Sequence, residues 1–271
     1  MATLRIVSLN AWGGKLWGAL KPWLQQLSAD VLCLQEVTRA PEPSPAWLTY
    51  SDAERRLDQR ADLLADVSEC LPKHQAVFAP AARGPLSDRD GRTYLSEHGI
   101  AMWIAPDLAL TAYRSLFVHG AYRQDGWGPE PVPRQMQVMR LAGRGAGGIV
   151  VGQLHGLRDP SGKGDTAARM DQSLAVRRAT SQMLRPGEAA ALVGDLNLLP
   201  GSESFEIWRE IGLRDLIAEH GVTDTRTSHY TKSTRFADYA LVNDATVVRA
   251  FDVPSQPEVS DHRPLILSVD I

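Results

Sequence analysis

The run Ala190-Ala-Leu-Val-Gly-Asp-Leu-Asn-Leu-Leu-Pro200 constrains the chain more than any other stretch. Ala191 to Val193 form a short apolar segment of the kind that fills a fully buried strand, and it ends abruptly at Gly194-Asp195-Leu196-Asn197. On a strand, Asp195 and Asn197 point to the same side, so a carboxylate and a carboxamide present their oxygens to one small volume. Such a pair suits a phosphate, a water and a hard cation. The same four residues also read as a turn leaving a strand, because Gly, Asp and Asn are the commonest turn formers.

The pattern recurs along the chain. Leu4 to Asn10 alternates apolar and polar residues and predicts a first strand ending in Asn10-Ala-Trp-Gly-Gly14. Ala29 to Glu36 is nearly continuous in apolar residues and ends in Gln35-Glu36, a buried-strand end where a carboxylate is costly unless paired or bound to a cation. Arg134 to Leu141 and Gly148 to His155 predict two neighbouring strands joined through a glycine-rich connection, the second delivering His155 to its end. Asp238 lies within Arg235 to Val242, expected to pair antiparallel with Ala245 to Phe251 through a turn at Asn243-Asp244. Asp261-His262 precede a last strand ending at Val269.

Helical spacing of apolar residues marks Leu16–Leu27, Ala53–Cys70, Thr166–Leu184 and Ser202–Ile211. Three segments read as irregular: the proline-rich 38–52, the polar 83–97, and 119–133 around Trp127. The last reads equally as a loop that selects substrate with an aromatic tip and as a loop packed on its own indole.

With 271 residues and 44% hydrophobic side chains the chain can bury a large core, and we read residues 1–271 as one domain. No run of eighteen apolar residues occurs and no leader pattern precedes the first strand, which predicts a soluble protein without membrane insertion. Cys33 and Cys70 have no metal-type spacing and read as buried reduced thiols, which fits the cytoplasm. The net charge of −3 gives no global field for a polyanion, although a local basic patch remains compatible with nucleic acid.

Acid, amide and imidazole groups thus collect at independent strand ends: Asn10, Glu36, His155, Asp195, Asn197, Asp261 and His262. Oxygen donors of this kind suit Mg²⁺ or Mn²⁺, and the lack of a Cys cluster or close His pair argues against zinc.

In order, Ser8-Leu-Asn10, Leu34-Gln-Glu36, His155, Gly194-Asp-Leu-Asn197, Asp238 and Ser260-Asp-His262 resemble the signature of the endonuclease/exonuclease/phosphatase superfamily, which includes deoxyribonuclease I and neutral sphingomyelinases. The resemblance covers residues 4 to 269 and implies a four-layer α/β/β/α sandwich of two mixed β-sheets with the site at one rim. It also implies roles. Glu36 would be the main Mg²⁺ ligand, with Asn10 and Asp261 as direct or water-mediated contacts. Asp195 would orient or deprotonate the attacking water, and Asn197 would hold it or a phosphate oxygen. His262 would meet the phosphate, kept basic by Asp238, and His155 would assist the leaving group. Arg134 would bind phosphate, as would Asn10, and Glu97 could orient His155. The usual Asn-Thr-His around the central histidine is Gln153-Leu154-His155 here, which removes one expected amide contact.

The implied activity is Mg²⁺-dependent hydrolysis of a phosphate ester, most readily a phosphodiester, with nuclease, lipid or small-molecule phosphodiesterase and phosphomonoesterase all open. A non-catalytic binding protein would be expected to lose the metal carboxylate or final histidine, whereas Glu36 and His262 are both present. A zinc hydrolase using His155 and His262 is disfavoured by the oxygen donors around them. Oligomeric state is not legible.

Overall fold

The protein is described from a computed structural model covering residues 2–52, 56–128, 131–143 and 147–271. Its strands are β1 (Thr3–Asn10), β2 (Val31–Arg39), β3 (Trp47–Ser51), β4 (Arg56–Arg60), β5 (Gln75–Ser87), β6 (Thr93–Ile104), β7 (Ala109–His119), β8 (Arg134–Ala142), β9 (Gly148–His155), β10 (Ala189–Asp195), β11 (Arg214–Asp215), β12 (Asp238–Val242), β13 (Val247–Asp252) and β14 (Leu265–Asp270). Its helices are α1 (Trp17–Gln26), α2 (Leu63–Cys70), α3 (Ala167–Met183), α4 (Glu203–Arg209) and α5 (Leu216–Glu219). Among the described residues the strands form one sheet ordered β13-β14-β1-β2-β6-β5-β3-β4 and another ordered β11-β12-β10-β9-β8-β7. Both are mixed: β1 runs parallel to β2 and β9 parallel to β10, while their other neighbours are antiparallel.

Strand periodicity explains the layering. In β1, Leu4 and Ile6 enter the core between the sheets, the side to which Met139, Val151 and Val193 of the facing sheet belong, while Val7 and Leu9 face the outer layer with Leu20 and Leu24 of α1 and Leu63 and Val67 of α2. β2 divides likewise, with Val31 and Cys33 inward and Leu32 and Leu34 outward. On the outer face of the second sheet, Val176 and Ala179 of α3 and Phe205 and Trp208 of α4 join Met136, Val138 and Leu192 in the same cluster. The fold is the expected α/β sandwich. The N-terminal caps of α2, α3 and α4 follow from sequence: Asp62 accepts from the Ala65 N–H, Thr166 from Arg169 and Ser202 from Ser204. No helix of the described residues is long and apolar enough to cross a membrane.

Four local expectations are corrected. β12 and β13 are not a hairpin: β12 lies between β10 and β11 in one sheet, and β13 pairs with β14 at the edge of the other. All five residues of β12 are buried and demand an interior position, whereas β13 is mostly exposed and suits an edge. The intervening Asn243 instead holds the start of β10, accepting from the Ala190 N–H and donating to the Glu188 carbonyl. The helix expected over 53–70 begins only at Leu63; Arg56–Arg60 is strand β4, and residues 53–55 lie outside the described residues. Within the proline-rich segment, Trp47–Ser51 is a strand paired with β4. The polar 83–97 segment belongs to the long β5–β6 hairpin, whose turn Asp88 holds by accepting from Asp90 and Arg92. Pro80 and Pro85 concealed that hairpin, being tolerated at a register shift and near the sparsely paired outer side of β5. Residues 129–130 of the Trp127 segment and 144–146 of the β8–β9 connection also lie outside the described residues.

Candidate active site

Strand register, parallel and antiparallel, places the polar strand ends side by side. Asp195 closes β10 opposite His155, which closes β9, and opposite Asp238, which opens β12. Asn10 closes β1 beside Gln35 of β2, and a register shift between Gln35 and Val37 turns Glu36 out of the ladder. Among the described residues, the non-glycine positions with positive φ are Trp12 (51°), Glu36 (56°) and Asn197 (54°), all within two residues of a predicted site residue or at one. Backbone strain is therefore concentrated where the side chains converge. Gly194 is required for that convergence: at φ 140° a Cβ would lie 2.1 Å from the Leu154 carbonyl oxygen of the adjoining strand.

Asn10 connects the two sheets' carboxylates. Its Nδ2 donates to Glu36 Oε1 at 3.0 Å and to Asp195 Oδ2 at 2.9 Å, and its Oδ1 accepts the Trp12 N–H at 3.0 Å. The other Asp195 oxygen accepts the Asn197 N–H at 3.1 Å, while Asn197 Nδ2 donates to the Gly156 carbonyl at 3.3 Å. Ser260 Oγ donates to the Asn10 carbonyl at 2.6 Å and ties the Asp261-His262 segment to the end of β1. His262 Nδ1 lies 2.9 and 2.8 Å from the two Asp238 oxygens, and its Nε2 is 3.7 Å from Asp195 Oδ2 and 3.9 Å from Asp261 Oδ1. His155 Nε2 approaches the same centre, 3.8 Å from Asp195 Oδ2 and 3.9 Å from Glu36 Oε1.

Charge follows this geometry. Burial alone would raise the Asp195 carboxyl pKa, but His262, His155, Arg226 and Lys163 hold it well below the usual range. Glu36 is likewise lowered against burial, by His155, His98, the Asn10 hydrogen bond and His262. Asp261 is raised by burial and by the like charge of Glu36, against His262 and Arg226. For His262, burial disfavours charge, yet Asp238, Asp261 and Asp195 outweigh burial and Arg226 and raise the imidazole. Burial and Arg134 push His155 down to about 3. Because Arg134 Nη1 can only donate, its 3.1 Å contact makes His155 Nδ1 an acceptor and places the proton on Nε2, facing the carboxylates.

Asp195, Asp238 and His262 offer ligand atoms within 4.8 Å of one another. Asp238 is committed to His262, however, and both are almost fully enclosed; the side chains of Glu36 and Asp261 keep 26% and 14% exposure and form the open edge.

Arg134 reaches the site through His155, while Glu97 does not: it pairs with Arg39 and accepts from the Tyr122 hydroxyl. Gln153 accepts from Gln35 and donates to Gln137 within a buried amide chain between the sheets. Trp127 donates its indole N–H to the Pro85 carbonyl and packs against Gly84, anchored on the β5–β6 hairpin. Two cations escaped sequence reasoning, Arg226 and Lys163. Burial pushes the Lys163 amine down to about 8, opposed by Asp195, and its Nζ donates to the Phe236 carbonyl. Both come from loops whose spacing to the strand ends carries no periodic signal.

Residues 7–262 match the sequence model of the endonuclease/exonuclease/phosphatase family. The chain belongs to this family. Family members are hydrolases acting on phosphate esters. Solved structures agree in fold. A family protein from Bacteroides vulgatus has 13% identity and a TM-score of 0.71, with 100% of both chains covered. A mannosyl-6-phosphatase from Bacteroides thetaiotaomicron has 15% identity and a TM-score of 0.69, covering 99% of this chain and 100% of that one. The human nocturnin catalytic domain with bound sulfate has 17% identity and a TM-score of 0.63, covering 99% and 93%. No curated protein matches the chain.

Proposed function

We propose that this protein hydrolyses a phosphodiester by in-line attack of water with Mg²⁺, replaceable by Mn²⁺. The observation that carries this reading is the convergence on Asp195: one carboxylate, fixed by Asn10 and the Asn197 N–H, with His262 and His155 Nε2 atoms 3.7 and 3.8 Å from the same oxygen.

The donor set fits a hard cation. Glu36 and Asp261 set two carboxylates at the open edge, where burial and then the like charge of Glu36 raise Asp261, and oxygen is the only ligand atom either offers. These two would hold the ion, which when bound neutralises charge developing on the phosphoryl oxygens. Asn10, with both amide hydrogens on carboxylates and its oxygen on Trp12, spaces Glu36 from Asp195.

Asp195, kept ionised by the cations around it, orients the attacking water by accepting its hydrogen bond. Asn197, its backbone held by Asp195, presents its carboxamide beside it. His262, fixed by Asp238, supplies Nε2 to the phosphate. His155 stays neutral and hydrogen-bonds through Nε2–H to the leaving oxygen; as the water oxygen bonds to phosphorus and the bond to that oxygen breaks, the water's proton passes to bulk solvent, from which the departing alkoxide takes one.

The test is a panel of bis-p-nitrophenyl phosphate, p-nitrophenyl phosphate, single- and double-stranded DNA and a choline phospholipid vesicle. Turnover of diesters above the monoester supports the reading. Preference for the monoester would assign phosphomonoesterase activity instead, and inactivity on all with no cation binding would favour a non-catalytic binding protein.

A further inference from the structure

Arg226 is the feature that the family reading leaves unused. It lies in the segment between α5 and β12, is 5% exposed, and directs Nη1 to Asp261 Oδ2 at 3.1 Å and to His262 Nε2. Its guanidinium stacks on Tyr230, 4.1 Å from the ring centroid, and its Nε is buried without a hydrogen-bond partner among the described residues. The contact with His262 is a hydrogen bond only while that nitrogen carries a lone pair, so a permanent cation covers the atom that faces the phosphate.

The side chain is not what holds its own segment in place. The Arg226 N–H donates to Asp224 Oδ1 at 2.7 Å, and its carbonyl accepts from Arg235 and Arg263. Thr227 adds a hydroxyl bond to the Ser260 carbonyl at 2.7 Å. A guanidinium buried against a histidine, with donors to spare and the backbone secured by others, is arranged for an anion that arrives from outside.

We propose that Arg226 is a catalytic residue that leaves His262 and binds the non-bridging oxygens of the substrate phosphate. This rests on the reading of His262 and Asp261 as the phosphate and cation side of the site. The planar fork takes two phosphate oxygens where the histidine takes one, and stacking on Tyr230 keeps it in plane while it changes partners. Lys163, a half-buried cation that also acts on Asp195, adds positive potential on the same side. A phosphate group is thereby met by Arg226 in addition to any bound cation.

The experiment measures inorganic phosphate binding by calorimetry, together with turnover of bis-p-nitrophenyl phosphate, in wild type, Arg226→Lys, Arg226→Met and Arg226→Ala. Phosphate binding does not require turnover, so it separates failure of this proposal from failure of the hydrolase reading. Expected are phosphate affinity about 10- to 100-fold weaker in Arg226→Met, kcat/KM about 100-fold lower, partial retention in Arg226→Lys, and recovery of Arg226→Ala turnover on adding guanidinium ion. Phosphate affinity within about threefold of wild type in a folded Arg226→Met variant overturns the proposal. So does loss in all three variants that follows lowered melting temperature and is not rescued by guanidinium.

Discussion

Replacing Asp195 by Asn changes one atom and separates the structural from the chemical role of this residue. One Asp195 oxygen accepts the Asn197 N–H at 3.1 Å and the other accepts Asn10 Nδ2 at 2.9 Å, both in a buried setting. A carboxamide has one acceptor oxygen, so whichever way it turns, its NH₂ faces a buried N–H. One hydrogen bond is lost and a buried donor is left unpaired, at about 1–3 kcal/mol. For a chain of this size each kcal/mol lowers the melting temperature by roughly 2–4 °C, so the variant should melt about 2–12 °C lower. It loses the negative charge opposite His262, His155, Arg226 and Lys163 as well, and with it the acceptor proposed to orient water. Turnover of bis-p-nitrophenyl phosphate should fall by at least about 100-fold at temperatures where the variant is folded. Differential scanning fluorimetry and steady-state rates on the same samples check both halves. A variant as stable as wild type would refute the hydrogen-bond assignment, and a folded variant with kcat within about threefold of wild type would refute the role given to Asp195.

Other consequences follow from individual contacts. Asp238→Asn removes the charge that raises the His262 pKa, so NMR titration should place His262 lower than in wild type. Because a raised folded pKa contributes stability that is complete below the unfolded value of about 6.5 and lost as pH rises through the folded one, the stability gap between wild type and Asp238→Asn should be widest near pH 5–6 and narrow toward pH 9. An even gap across that range would contradict the assignment. Glu36→Gln should weaken Mg²⁺ binding, measured by calorimetry, at least about tenfold while changing the melting temperature little, since Glu36 is partly exposed and the Asn10 bond can persist to an amide oxygen. Gly194→Ala should destabilise by about 3 kcal/mol or more, visible in urea unfolding, because a Cβ there collides with the Leu154 carbonyl; a loss under about 1 kcal/mol would mean that β9 and β10 can separate freely.

Much of the site was legible because buried strands leave a plain trace. An apolar run that ends in Asp, Asn or His states both where the strand stops and which group it delivers, and Asn10, His155 and Asp195 were located this way; Glu36 converges with them not from a strand end, as expected, but from a bulge inside β2, which continues to Arg39. What failed depended on information that is not local. The Asn243-Asp244 turn signal was real, but burial on both faces of β12 decided its neighbours and sent β13 to the other sheet. Prolines and glycines disguised the β5–β6 hairpin, since its strands tolerate them at irregular and outer positions. Glu97 sits one residue from His98, which does act electrostatically on Glu36, but strand alternation gives the two opposite faces, and Glu97 finds Arg39 instead. Arg226 and Lys163 arrive from loops, where neither period nor run length betrays that both end near Asp195.

The most direct test of the central claim is hydrolysis of bis-p-nitrophenyl phosphate by chelator-treated protein titrated back with Mg²⁺ or Mn²⁺, in wild type and His262→Ala. The account predicts negligible rate in chelator, recovery with either ion, and a rate at least about 100-fold lower in folded His262→Ala. Full turnover in excess chelator, or a His262→Ala variant as active as wild type, would contradict it.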